Sequence, residues 1–143
     1  MPRNYCEEHE ALAAQFEANW HPVSPSTGYL TPIAWENVDF TPPDPIANWV
    51  EFSIVTGESM QASFGAPGQN NFRHHSVISI NIYVPAGAGK LAALALADKA
   101  AAIFRVQRAD GILFRAPTVT TLGEGGGYYR ANVSVPFRRD SAL

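Results

Sequence analysis

Charged side chains are scarce in this sequence. Asp, Glu, Lys and Arg make up 16% of the 143 residues, whereas about 25% is usual for a globular domain. The formal net charge is −3, and no run of basic residues is longer than the pair Arg138-Arg139. A protein that grips nucleic acid needs several phosphate contacts on one face. We therefore expect no sequence-specific nucleic-acid binding.

Cysteine and long apolar runs are also lacking. Cys6 is the single cysteine, so an intrachain disulfide is impossible. The longest apolar stretch, residues 91–97, is too short to cross a bilayer. Residues 1–5 lead into a polar helix and lack the apolar core of a signal peptide. We expect a soluble, cytoplasmic chain of one domain, 1–143, with no membrane association.

Metal-binding and catalytic patterns are missing as well. The four histidines are His9, His21, His74 and His75, and no H-x-x-x-H or C-x-x-C spacing occurs. Cys6 has only His9 as a nearby base, with no third group to orient it. The sequence therefore predicts no catalytic residue, no cofactor and no metal site, and we expect a protein that is not an enzyme.

Residues 76–108 first suggest a phosphate-binding loop, because a strand, a Gly-Lys turn and a helix follow one another. The phosphate-loop pattern G-x-x-x-x-G-K-[ST] is matched by Gly89 and Lys90. It is broken at Val84, where the first glycine belongs, and at Leu91, where the hydroxyl ligand of Mg²⁺ belongs. The segment therefore indicates a crossover turn rather than a nucleotide site.

Two helices are predicted. Residues 5–20 follow the N-cap Asn4, with Glu7 placed for a capping box. Their apolar stripe comprises Tyr5, Leu12, Ala13, Phe16 and Trp20. The glutamates of this helix are interpreted as a solvated face: Glu7, Glu8, Glu10 and Glu17. Residues 91–108 form the second helix, whose buried stripe is Ala93, Leu96, Ala97, Ala100, Ile103 and Phe104.

The remaining regular segments are strands. Period-two alternation and β-branched residues predict strands at 33–38, 49–55, 73–84, 112–114, 119–122 and 128–137. We expect Val50, Phe52 and Ile54 to share one face, and likewise Ile78, Ile80, Ile82 and Val84. The element order favours an α+β fold, with a mostly antiparallel sheet of four to six strands and two helices on one face.

Two segments are candidates for contact with other proteins. Residues 57–72 are predicted to be a long mobile loop, a type that is usually functional. Residues 119–137 are predicted to form a hairpin with a Gly-rich tip at 123–127. The tip is not a dinucleotide fingerprint, because Tyr128 occupies the place of the last glycine and a strand follows.

The chain resembles the tail-terminator, or tail-completion, proteins of long-tailed phages and the small prophage proteins grouped with them. The resemblance is one of pattern and order over nearly the whole chain. It rests on the helix with Leu12, Phe16 and Trp20, the Pro-rich stretch around residues 35–40, the strand 49–54, Arg73, the strand and turn 78–89, Asp98-Lys99 and Phe104, and the hairpin 128–137.

The resemblance implies a structural protein that forms a ring, typically a hexamer. Such a ring caps the tail tube, stops tube polymerisation and presents a surface for head joining. The implied partners are other copies of the chain, the tail-tube protein and the head-completion protein. The implied locations are the host bacterial cytoplasm during assembly and then the virion tail.

The subunit contacts are predicted on the loop 57–72 and the hairpin 119–137, with Arg73, Arg130, Arg138 and Arg139 as candidate interface or channel residues. Two other functions remain open. One is a different virion ring component, either a head–tail connector or a tail-tube subunit. The other is a small ligand-binding domain or enzyme, which would need a polar pocket where His9, His74 or Cys6 converge.

Overall fold

A computed structural model describes residues 2–25, 27–65, 70–105, 108–109 and 111–142. The elements within these ranges are α1 (Tyr5–Asn19), β1 (Ile33–Trp35), β2 (Trp49–Gln61), β3 (Asn71–Pro85), α2 (Lys90–Ile103), β4 (Arg108–Ala109), β5 (Ile112–Phe114), β6 (Thr118–Gly125) and β7 (Tyr128–Ala142). The predicted α+β class is confirmed. Neither of these helices is long and apolar enough to span a membrane.

The seven described strands form one sheet in the order β1-β2-β3-β7-β5-β4, and β6 pairs with β7. Only β1 and β2 run parallel, so the sheet is mostly antiparallel, as predicted. Strands β3 and β7 pair along their full length, from Asn71 opposite Ala142 to Pro85 opposite Tyr128. On the side of β7 away from β3, strands β6 and β5 pair with successive parts of β7.

One face of the sheet carries the core. Because side chains alternate between the two faces of a strand, the fully buried apolar residues of β2, β3 and β7 all point to the same side. They are Val50, Phe52, Ile78, Ile80, Ile82, Val84, Ala131, Val133, Val135 and Phe137. Both helices pack on this side, as predicted. Alanines of α2 let that helix approach closely, and Ala93, Ala97 and Ala100 are fully buried.

Phe16 connects the helices to the sheet. Its ring stacks on Phe52 of β2 with centroids 5.2 Å apart and on Phe104 at the end of α2 at 6.2 Å. Trp20 stacks on the same ring at 5.2 Å, and its indole nitrogen donates to the carbonyl of Thr31 at 3.1 Å. The aromatic residues of the α1 stripe therefore fix this helix over β2. Tyr5, which the sequence also places on the stripe, is 45% exposed.

The helix ends differ in detail from the prediction. Asn4 caps α1 by accepting a hydrogen bond from the Glu7 amide at 2.9 Å, but the Glu7 carboxylate accepts from the Arg3 amide rather than from Asn4. Helix α2 ends at Ile103 instead of 108. The buried ring of Phe104 redirects the chain into the core, and Arg108–Ala109 is a strand. Residues 106–107 lie outside the described residues.

A buried ion pair ties α1 to β7. Glu8, predicted to lie on a solvated face, is 2% exposed, and its Oε1 accepts a hydrogen bond from Nε of Arg139 at 2.9 Å. Arg139 is 1% exposed, and its guanidinium also lies over the Tyr5 ring, 5.2 Å from the centroid. The prediction for Glu8 was wrong, because Glu8 is four residues from Leu12 and shares its face of the helix.

Strand β2 is longer than the sequence predicts. Residues 57–61, predicted as the start of a loop, are strand residues, and residues 59–61 pair with β3. The register shifts between Thr56 and Ser59, which marks a β-bulge. A Cβ on Gly57 would lie 2.6 Å from the His75 carbonyl oxygen, so the bulge requires glycine there. The connection to β3 is therefore shorter than predicted, and residues 66–69 lie outside the described part.

The hairpin of β6 and β7 confirms the turn at its Gly-rich tip. Gly126 and Gly127 have φ of 60° and 83°, as a two-residue type I′ turn requires. Gly123–Gly125 belong to the strand. The carbonyl of Gly127 accepts a hydrogen bond from the Ala86 amide at 2.9 Å. This bond joins the hairpin tip to the turn before α2.

Removal of the Glu8 charge should destabilise the fold strongly. Glu8→Gln leaves the buried Arg139 guanidinium uncompensated, and the expected loss is about 3–5 kcal/mol in the free energy of unfolding. Chemical denaturation measures it. The matched control is Glu17→Gln on the exposed side of the same helix, with an expected change within about 0.5 kcal/mol. Equal losses for the two variants would show that Glu8 is not paired in the interior.

Gly57→Ala should disturb the bulge of β2. The added methyl group meets main-chain atoms of His75, and the expected cost is about 1–3 kcal/mol. Hydrogen exchange should show reduced protection of the amides of residues 55–61, while the β3–β7 amides change less. Thr56→Ala, one position away and exposed, serves as the control. Unchanged protection in Gly57→Ala would contradict the described geometry.

Candidate assembly interface

The sheet face opposite the helices is not covered by any described element. We call it the open face. Its half-buried side chains alternate in sequence with the core residues, and most of them are neutral and polar. They are Glu51, Ser53, Ser79, Asn81, Tyr83, Asn132, Ser134 and Pro136, together with Arg130 and Arg138 of β7. The sequence contains a signal for this surface, because polar residues occupy most of the positions that alternate with the buried ones, Val77 and Pro136 being exceptions.

A hydrogen-bond ladder crosses the open face. The side-chain Nδ2 of Asn132 donates to Ser79 Oγ and to Asn81 Oδ1, both at 2.9 Å, and its Oδ1 accepts from Ser134 Oγ at 2.8 Å. Asn81 in turn donates to Glu51 Oε1 at 3.0 Å. The ladder orients amides and hydroxyls across three strands. It forms a polar surface with few charges, which can contact another protein by hydrogen bonds.

Aromatic rings cover one end of the open face. Trp49 and Tyr83 stack with centroids 4.0 Å apart and planes 4° apart. Phe40 lies 4.9 Å from Trp49, and Tyr128 lies edge-on to both stacked rings. Burial raises the pKa of the Tyr83 hydroxyl, and the Glu51 carboxylate adds to this effect. Rings with one polar end are the side chains most enriched at protein interfaces.

Arg73 and Arg138, two of the predicted interface arginines, lie at the opposite end of the sheet from this aromatic cluster. Arg73 is bidentate on Asp140, with Nε to Oδ1 at 3.0 Å and Nη2 to Oδ2 at 3.4 Å. This hydrogen bond lowers the pKa of Asp140 and raises that of Arg73. Arg138 is half-buried, opposite His75 on the neighbouring strand. Both arginines are near the surface.

Arg130 and Arg139 differ from that pair. Arg130 packs against the hairpin, and a Cβ on Gly125 would lie 3.2 Å from its Nη2. It is half-buried and borders the aromatic cluster. Arg139 is buried against Glu8 inside the subunit. The prediction of an interface role is therefore corrected for Arg139, because its guanidinium has no route to a neighbouring molecule.

The residues considered for catalysis do not converge. Cys6 is exposed beside Glu10, while His9 lies near Glu36, with Nδ1 3.9 Å from Oε2. His74 belongs to a different cluster. Among the described residues, no group of three or more His, Cys, Asp or Glu side chains could hold a metal ion.

His74 joins three strands to α1. Its Nδ1 lies 2.7 Å from Ser59 Oγ and its Nε2 lies 2.8 Å from Ser141 Oγ. The Tyr5 hydroxyl contacts Ser59 Oγ at 2.9 Å. Burial lowers the pKa of His74, and the nearby Arg139 charge lowers it further. The cluster therefore holds the N-terminal turn of α1 against the ends of β2, β3 and β7.

Described residues line two clefts that bear on the ligand-binding alternative. The larger, about 640 Å³, lies between the C-terminal ends of α1 and α2 and is lined by Gln15, Asn19, His21, Pro22, Val23, Lys99, Ala102 and Ile103. The smaller, about 330 Å³, lies beside β1 and the aromatic cluster. Neither brings together His9, His74 and Cys6, the residues that the ligand-binding alternative requires.

Comparisons with known proteins agree with the fold. One solved structure, whose name describes no function, has a TM-score of 0.60 and 18% sequence identity, and the match covers 91% of this chain and 94% of that chain. At this identity the likeness shows the fold alone. No curated protein matches the chain. A family model described as phage tail terminator protein matches residues 9–137.

The matched range includes both helices apart from the first residues of α1, the open face, and most of the β6–β7 hairpin. It covers most of the chain, and the resemblance predicted from the sequence is confirmed. The chain belongs to the phage tail terminator family and is a structural protein of the phage tail.

Proposed function

We propose that this protein forms a closed ring on the end of the tail tube, stops tube polymerisation and provides the surface to which the head is joined. The observation that carries this proposal is the tail terminator family match over residues 9–137. A terminator differs from a tube subunit because it accepts a tube on one side and does not add a further tube ring on the other.

The exposed surfaces of the subunit support a ring. Contacts around a closed ring are heterologous, so each subunit needs two different patches. The chain offers the open face with its aromatic cluster, and it also offers the outer part of β2, where Val55 and Met60 are exposed. A surface this poor in charge is typical of a protein partly covered by neighbours. We propose a hexamer.

The proposed partners are other copies of the chain, the tail-tube protein and the head-completion protein. Assembly would take place in the host bacterial cytoplasm, and the ring would then remain in the virion tail. We also propose that the protein acts by contact alone and catalyses no reaction, because the family is structural.

Deletion of the gene in a phage that encodes this protein tests the terminator role. A missing terminator leaves tube growth unchecked, so electron micrographs should show filled heads and separate, overlong tails. Expression of the intact gene from a plasmid should restore joined particles with tails of normal length. Heads without any tails would instead indicate a tube subunit, and tails of normal length without heads would indicate a connector.

The arginines of the open face should contribute to ring formation. The double variant Arg130→Glu with Arg138→Glu reverses two charges at the proposed contacts, and we expect association to weaken about tenfold or more. Light scattering after size-exclusion chromatography measures the mass of the assembly. Lys99→Glu on α2 is the control, because this exposed lysine lies outside the proposed contact regions.

Circular dichroism should show that the double variant keeps the wild-type fold. Because Arg130 packs on Gly125, Arg138→Glu alone provides a second variant if the double variant is unstable. Unchanged ring mass and unchanged tail capping in folded variants would show that these arginines are not contact residues.

A further inference from the structure

Among the described strands, β2 and β6 each leave a long edge unpaired, and we propose that these two edges pair with each other between copies. The outer edge of β2 would bind the edge strand β6 of a second copy in antiparallel orientation, so that one sheet continues into the next. This inference rests on the proposed ring and names the surfaces that would form it.

The edge of β2 is free over its second half. Strand β1 pairs only with residues 50–52. The Val50 amide donates to the Pro32 carbonyl at 3.0 Å, so the main-chain groups of Val50 point away from β3. Because main-chain groups alternate in direction along a strand, the main-chain groups of Ile54 and Thr56 also point away from β3. The Ile54 amide meets the Glu36 carboxylate at 3.4 Å, and beyond it no described strand lies beside residues 56–61.

Strand β6 forms the second free edge. It pairs with β7 on one side, from Thr118 opposite Ser134 to Gly125 opposite Tyr128, and no described strand pairs with its other side. The Gly125–Tyr128 pair closes the two-residue turn and therefore exchanges its hydrogen bonds within the hairpin. Main-chain groups alternate in direction along β6. In its register with β7, the main-chain groups of Val119 and Thr121 therefore point away from β7.

The two edges are only lightly protected. Soluble proteins guard edge strands with charged residues, proline, β-bulges or a covering segment. Each of these edges has one register shift and one glutamate, but residues 53–61 and 118–125 contain no lysine and no proline. Their exposed residues include Val55, Met60 and Leu122, and Thr118-Val119-Thr120-Thr121 is β-branched throughout. Edges of similar length with so little protection suit pairing with another strand.

The strand directions suit a ring. From β2 through β3 and β7 to β6, each pair is antiparallel, so β6 runs opposite to β2. A sheet that continues around a ring curves about an axis lying broadly along its strands. Rotation about such an axis keeps each strand direction. The β6 strand of the neighbour would therefore meet β2 in antiparallel orientation, the more stable pairing.

The charges also suit this orientation. Each edge carries one acidic residue, Glu58 on β2 and Glu124 on β6. When the outward residues Thr56 and Thr121 are placed opposite one another in antiparallel orientation, Glu58 lies opposite Val119 and Glu124 lies opposite Ser53. The two carboxylates are then separated along the ladder, which avoids the cost of like charges placed directly opposite.

Cross-linking tests the pairing. In a Cys6→Ser background, Thr56→Cys combined with Thr121→Cys places one thiol on each edge. A short bis-maleimide linker should join successive copies and give a ladder of covalent oligomers on a denaturing gel. Each single-cysteine variant should give no ladder, because heterologous contacts bring unlike edges together. A dimer formed by either single-cysteine variant would indicate pairing of like edges and would overturn the proposal.

Proline variants provide the second measurement. Thr56→Pro and Thr121→Pro each remove one outward main-chain donor, and we expect each to weaken association about tenfold or more by light scattering. Thr56→Ala and Thr121→Ala keep the donor and should retain the ring. If the wild-type ring forms but the double-cysteine protein gives no ladder, the edge pairing is wrong and the ring stands. If the wild-type chain stays monomeric even with tail tubes, the proposed function itself fails.

Discussion

The period-two alternation of β3 and β7 is the constraint on which the rest of this structure depends. Each strand has fifteen residues, and the two pair along their whole length. One side is apolar from Ile78 to Val84 and from Ala131 to Phe137, and this surface must be buried against another layer of the fold. The alanines of α2 and the aromatic rings of α1 meet that requirement. The same alternation sends Ser79, Asn81 and Asn132 to the other side, where no helix follows.

The sequence predicts most of this arrangement because its strongest patterns are local. The core faces of β2 and β3 follow from alternation within each strand, and the stripe of α2 follows from helical spacing. The cap at Asn4 follows from residue type. Each of these predictions depends on residues within a few positions of one another, and the structure confirms them.

The predictions that failed depend on distant partners. Glu8 looks solvated among neighbouring glutamates, and Arg139 looks like a surface residue beside Arg138. Their pairing, across 131 positions, becomes visible only when β7 lies under α1. Residues 57–61 look like a loop because they contain Gly57, yet the glycine there permits a bulge and the strand continues. The end of α2 carries no glycine or proline that would mark it in the sequence. The helix ends instead where Phe104 is buried.

The pair formed by Glu8 and Arg139 also links the order of synthesis to the order of folding. Translation produces α1 first and delivers its ionic partner near the end of β7. In a chain that does not yet include Arg139, docking of α1 would bury the Glu8 carboxylate without its ionic partner, which costs free energy. Docking of the first helix is therefore favoured most once the last strand is in place.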